Sequence, residues 1–325
     1  MACSNNQEQA FTSSNFELVR LADGVFACIH QFGGKAICNV GIVDNGKETL
    51  IFDTFLSPDV ALETQEIVEI KGLSPIKYVV NSHAHNDHIR GNQVFPAETD
   101  IISTERTAQL IQEWEAAGIP EEQQYAPPLF HHYDSLYHAF SGDTTSREYA
   151  AIMMWRPYYE VLAESHIKVK TRIPNLFLDE QMNLDGPGRR VQLISKGAGH
   201  TESDMILYLP DDGIVFAADL VFYEMHPYLG HGFPDKWLDY LTYLENLEIA
   251  KVGPGHGAIC GKEGITAMKS YINSIDQLAK EMVQNNIPVT QASTISIPET
   301  YKDWWFEEFF HSNLRFMYRN QVNPD

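Results

Sequence analysis

The chain has little of several things, and each shortage excludes a class of protein. Its 325 residues hold four cysteines, Cys3, Cys28, Cys38 and Cys260, with no C-x-x-C pair. That is too sparse for a disulfide scaffold, and Cys28 and Cys38 lie in apolar runs where a buried free thiol is expected. No stretch approaches the roughly 18 consecutive apolar residues that a membrane-spanning helix needs. Basic residues are scarce, 23 Lys+Arg against 44 Asp+Glu, a formal charge of −21. Such a field repels nucleic-acid phosphates and anionic lipid surfaces, so neither is expected as a partner. There is no internal repeat, low-complexity tract or evident linker. What remains, 44% hydrophobic and 21% charged residues, is enough to bury a sizeable core.

The pattern along the chain is that of an α/β protein with layered sheets. From Phe16 to Phe55 apolar and polar residues alternate, with turns at Asp23-Gly24, Gly33-Gly34 and Asn45-Gly46, which predicts an antiparallel meander. Pro58 opens a helix to about Ile70, followed by the strand IKYVV, a small helix GNQVF, the strand TDIIS and a helix from Glu105 to Gly118. Residues 119–172 break this rhythm with Pro120, Pro127, Pro128 and a Tyr-, Trp- and Met-rich helix. They read as a helical insertion whose aromatic stripe serves as core rather than as a substrate lid. Strands resume at NLFLDEQMNL, VQLIS, MILYLP and GIVFAAD, and helices follow over Asp235–Ala250 and Glu263–Val283. An amphipathic tail, Thr300 to Asn320, is expected to dock as a last helix. The organisation expected is a flexible start (1–15), one domain (16–285) carrying the insertion, and a C-terminal extension (286–325) packed on it.

The chemistry concentrates in His83-Ala84-His85-Asn86-Asp87-His88, directly after an apolar strand. Three imidazoles and a carboxylate on one loop can converge on metal from one side, whereas the i, i+4 spacing of a helical H-E-x-x-H site is absent. Three further candidates lie in turns or at strand ends: His200 in GAGHT, Asp219 in IVFAADLVF and His256 in GPGHG. A carboxylate in a run as apolar as IVFAA is costly unless it meets a cation or hydrogen-bond donors. Together these seven residues offer enough nitrogen and oxygen ligands for two zinc ions with room for water.

In these motifs the sequence resembles the metallo-β-lactamase superfamily of metallohydrolases, over roughly Phe16 to Leu278 apart from the insertion. The resemblance implies an αβ/βα four-layer sandwich with a helical insertion and a C-terminal helical extension. It also implies one metal on His83, His85 and His200, another on Asp87, His88 and His256, and Asp219 as the bridge. Asp53, closing LIFDTF, matches the carboxylate that orients the metal loop. Asp rather than Cys at 219 looks more like the glyoxalase II and lactonase branch than the best-known zinc β-lactamases. The implied activity is that of a dinuclear zinc hydrolase, with iron or manganese as other metals. A metal-bridging hydroxide would attack the carbonyl of a small ester-like substrate (lactone, thioester or cyclic amide), with Asp87 as the catalytic carboxylate. Alternatives are β-lactam hydrolysis, phosphodiester hydrolysis and a non-catalytic metal-binding protein. His226 and Tyr228, soon after Asp219, are candidates for substrate contact. Ser203 and Asp204 are expected to fix the His200 loop, and Asp179, Asp185 and Glu202 to be solvated charges. The chain reads as soluble and cytoplasmic, or alternatively as a trimmed bacterial lipoprotein anchored at Cys3 in the periplasm. The sequence does not set the oligomeric state.

Overall fold

A computed structural model describes residues 11–322. Cys3, on which lipid anchoring would depend, lies outside the described residues. The chain divides into two compact units, one built from residues up to 103, 108–177 and 184–191, the other from 104–107, 178–183 and 192 onward.

The first unit is a seven-stranded sheet with helices. Its strands β1 (Phe16–Ala22), β2 (Val25–His30), β3 (Val40–Asp44) and β4 (Thr49–Phe52) form the expected antiparallel meander. Beyond it β5 (Ile76–Val80), β6 (Asp100–Ser103) and β7 (Leu176–Phe177) continue in parallel. Helix α1 (Pro58–Ile70) begins with proline in its first turn and buries Val60, Ala61, Ile67 and Val68. Phe16, Phe26, Cys28, Ile42, Ile51 and Phe55 belong to the same core. After β4 the backbone turns abruptly, with Asp53 and Phe55 both at positive φ (65° and 64°). L-residues adopt that conformation at a cost, and here it turns the Asp53 carboxylate toward the loop after β5. A one-turn helix, α2 (Asn86–Ile89), ends that loop, and Gly91 follows it because a Cβ there would overlap the Thr54 carbonyl and the Ala61 methyl.

Helix α3 runs from Glu105 to Ala139, well past the Gly118 end expected from its prolines. Pro120, Pro127 and Pro128 each forgo an N–H, but tertiary contacts to buried Glu115, Glu122 and Ala126 outweigh that loss. Helix α4 (Arg147–Lys168) starts at Ser146, whose hydroxyl accepts from the Tyr149 N–H.

The second unit is a five-stranded sheet in the order β12-β11-β10-β9-β8. Strands β8 (Gln181–Asn183), β9 (Gln192–Gly197), β10 (Asp204–Leu209) and β11 (Ile214–Phe222) pair antiparallel, and β12 (Lys251–His256) runs parallel to β11. The run NLFLDEQMNL, expected as one strand, is thus divided between β7 and β8, which belong to different sheets. Helices α5 (Pro234–Glu245), α6 (Lys262–Gln284) and α7 (Glu307–Val322) supply Trp237, Leu241, Ile265, Ile272, Phe310 and Leu314 to its core. Two sheets, each with its own helices, match the αβ/βα class expected from the sequence.

Candidate metal centre

In the first unit, the loop after β5 is held by the carboxylate of Asp53. Asp53 Oδ1 accepts from the Ser82 N–H (2.8 Å), while Oδ2 accepts from Ser82 Oγ (2.8 Å) and His88 Nδ1 (2.8 Å). These donors oppose the burial that pushes the Asp53 carboxyl up. Because His88 spends its Nδ1 proton on Asp53, its Nε2 keeps a lone pair. Ser82 Oγ spends its only proton on Asp53, so it accepts from His83 Nδ1 at 2.9 Å, and His83 Nε2 likewise keeps a lone pair. That atom faces His85 Nδ1 at 3.0 Å, and His88 Nε2 lies 3.6 Å from Asp87 Oδ2. Lone-pair nitrogens and carboxylate oxygens crowded at such distances form a donor set for a cation.

The backbone of the loop is tied as well. Cys38 Sγ donates to the Asp87 carbonyl (2.8 Å), and Thr54 N and Oγ1 donate to the His88 carbonyl (2.9 and 3.1 Å). Burial pushes the Cys38 thiol up to about 12, so it is a neutral S–H donor there. The ring of His85 stacks on Trp114 at 5.4 Å. Trp114, Arg90, Glu115 and Glu122 were not singled out by the sequence, which marked Cys38 only as a buried thiol. The one available signal was the seven-residue spacing of Glu115 and Glu122 on a helix face.

In the second unit, Asp219 lies in the fully buried strand β11 after a shift of the β11–β12 register, with Ala218 at φ 45°. Such an irregularity re-aims a side chain. Asp219 Oδ2 is 3.2 Å from His200 Nε2, and Oδ1 is 3.4 Å from His256 Nε2. His200 packs edge-on against Trp237, and His256 stacks on Phe222 at 5.0 Å.

The loop bearing His200 is fixed by Asp204, whose carboxylate accepts from Thr201 N (3.0 Å) and Thr201 Oγ1 (2.8 Å). Ser203 Oγ sits 2.6 Å from Thr104 Oγ1, and Glu202 pairs with Arg106. Asp185 is exposed, as expected, and also accepts from Val191 N.

Burial pushes the Asp204 carboxyl up to about 6, against the pull of His200 and Thr201. Its folded value exceeds the ordinary 3.8, so the folded chain binds this proton more tightly. The resulting stabilisation is full below about pH 4 and lost as pH rises through about 6. Asp204→Asn should therefore flatten that part of the profile. Urea unfolding of both proteins between pH 4 and 7 checks this, and a pH-independent difference between them would refute it.

His226 is placed away from solvent. Its Nδ1 lies 3.0 Å from Tyr271 Oη, and its ring packs among Tyr271, Trp304 and Phe310. Tyr228 is half-buried, in edge contact with His231 and Phe309. The two candidate substrate residues are thus not brought together.

The sequence profile of the metallo-beta-lactamase superfamily matches residues 33–256. The chain belongs to that superfamily. Its members are metal-dependent hydrolases, and this protein is an enzyme of that kind, with His and Asp groups able to hold metal. A curated relative, the alkyl/aryl-sulfatase BDS1 of Saccharomyces cerevisiae, is 23% identical over 231 residues, 67% of this chain and 32% of that protein. The matched region thus spans about a third of the relative's length. Among solved structures, VMB-1 aligns with TM-score 0.56 at 17% identity over 81% of this chain and 99% of that one. The DIM-1 metallo-beta-lactamase aligns at 0.54 and 16% over 80% and 98%, and TMB-1 at 0.56 and 15% over 80% and 98%. At these identities the likeness establishes the fold. No described helix is long and apolar enough to cross a membrane.

Proposed function

We propose that this superfamily hydrolase is a dinuclear zinc enzyme acting on a small, ester-like carbonyl substrate such as a lactone, a thioester or a cyclic amide. One ion would be held by His83, His85 and His200 and the other by Asp87, His88 and His256, with Asp219 shared between them. The observation that carries the reading is the carboxylate of Asp219, which turns one oxygen to each of two imidazoles. A buried carboxylate so placed fits two cations better than one. The all-imidazole and carboxylate donor set suits zinc, with iron and manganese as chemically similar occupants.

Bound there, such ions supply Lewis acidity and lower the pKa of water from about 15.7 toward 7, making a nucleophile available at neutral pH. The chain's own residues do the rest. Asp53 and Ser82 set the tautomers of His88 and His83, so that both present lone pairs without rearrangement. Asp87, the more accessible carboxylate, would face a cation through Oδ2, the oxygen beside His88. Its other oxygen, Oδ1, would take the proton released on attack and return it to the leaving group. The −21 net charge disfavours a polyanionic substrate.

A second reading, hydrolysis of an alkyl or aryl sulfate ester, is favoured by the sulfatase relative. The test is metal analysis of purified protein, then a panel of a lactone, a thioester, a chromogenic cephalosporin and an aryl sulfate, before and after chelation. Two equivalents of metal and chelator-sensitive turnover, highest on the lactone or thioester, are expected. Preference for the aryl sulfate or the cephalosporin would replace the substrate class, and chelator-insensitive turnover would overturn the metal reading.

A further inference from the structure

The loop that carries Asp87 and His88 is gripped from helix α3 by a buried cluster that no step above uses. Arg90 is fully buried, its Nη2 donating to Glu115 Oε1 (2.9 Å) and Glu122 Oε1 (2.8 Å) and its Nε to both Glu115 oxygens (3.2 and 3.1 Å). Asn86 Nδ2 donates to the same Glu122 Oε1 at 3.1 Å. We propose that Glu122 is a positioning residue for the metal loop: its Oε1 pins Asn86 and Arg90, the two residues that bracket Asp87 and His88. The inference rests on the dinuclear reading above.

Three observations carry it. Residues 86–89 form a single helical turn, so fixing Asn86 at one end and Arg90 just past the other leaves Asp87 and His88 little freedom to rotate. The cluster is also poorly suited to stability alone. Two carboxylates share one guanidinium away from water, an arrangement that apolar residues of similar volume usually match or better. Finally, its hydrogen bonding is incomplete. Arg90 Nη1 and Glu122 Oε2 are buried with no hydrogen-bond partner among the described residues, whereas Oε1 accepts from both ends of the turn. The satisfied oxygen is the one that touches the metal loop.

The experiment titrates zinc into metal-free protein against a chromogenic chelator, for the parent, Glu122→Ala, Glu122→Gln and Asn86→Ala. Glu122→Ala should weaken one of the two zinc affinities by about 10–100-fold and leave the other unchanged, the usual effect of losing a group that orients a ligand. Glu122→Gln keeps an oxygen at Oε1 that both donors can reach, and should stay within about threefold of the parent by the same principle. Asn86→Ala leaves the Arg90–Glu122 pair intact, so it tests the idea even if Glu122→Ala fails to fold. It should weaken the same zinc about tenfold. Parent-like affinity for both ions in Asn86→Ala, or a Gln variant as impaired as a folded Ala variant, would overturn the inference. A parent that does not take up two ions would instead overturn the dinuclear reading itself.

Discussion

Asp87→Ala should lower kcat/KM by about 10²–10⁴-fold, the range expected when a positioned proton carrier is removed, and leave the fold intact. The side chain of Asp87 is 14% exposed, and its backbone carbonyl, which accepts from Cys38, is kept in the variant. Truncating the carboxylate keeps that backbone anchor, and urea stability should change by less than about 1 kcal/mol. His88→Ala makes the contrast. Its ring donates to buried Asp53, so the variant should lose activity and stability together, the latter by about 1–3 kcal/mol for the unpaired carboxylate. Kinetics and urea unfolding of both variants separate the two effects, and normal turnover by Asp87→Ala would refute its role.

Gly255→Ala is expected to damage the candidate centre through a single added methyl. A Cβ at this position would overlap Asp219 Oδ1 and come within 2.7 Å of the Ala218 carbonyl carbon and 2.8 Å of the Asp219 nitrogen. Neither backbone can yield easily, because β11 and β12 are paired along this stretch. The added methyl should cost about 1–3 kcal/mol in overpacking and turn the Asp219 carboxylate away from His200 and His256. Metal content and turnover should then fall together, by about 10–100-fold in affinity. If the variant retained full metal content and activity, Asp219 could not be the shared carboxylate.

Much of this was legible in the sequence, for identifiable reasons. The turns at Asp23-Gly24, Gly33-Gly34 and Asn45-Gly46 marked β1–β4, although β2, β3 and β4 are buried on both faces rather than alternately. The histidine cluster stood out because such spacing rarely serves a solvated loop. Other features depend on contacts that local pattern does not encode. The prolines of α3 looked like a stop because their cost is local, while the compensation from Arg90 comes from 25 and 32 positions away. The run from Asn175 to Leu184 looked like one strand, since a turn at Asp179-Glu180 is hard to tell from exposed strand residues. His226 looked close to the candidate ligands because only six residues separate it from Asp219. The segment around Trp304 and Phe310 encloses it instead.

That enclosure has a consequence for the nascent chain. Asn313 holds the loop after β11 at two points, accepting from Leu229 N at 3.0 Å and donating to the Pro227 carbonyl at 2.7 Å. The partners are separated by 84 and 86 residues. At a synthesis rate of about 5–20 residues per second, the loop is translated roughly 4–17 seconds before the residue that fastens it. Strands β9, β10 and β11 each have one pairing partner already made, but this loop must wait on the ribosome with its final bonds unformed. A chaperone acting during translation would find its opening there.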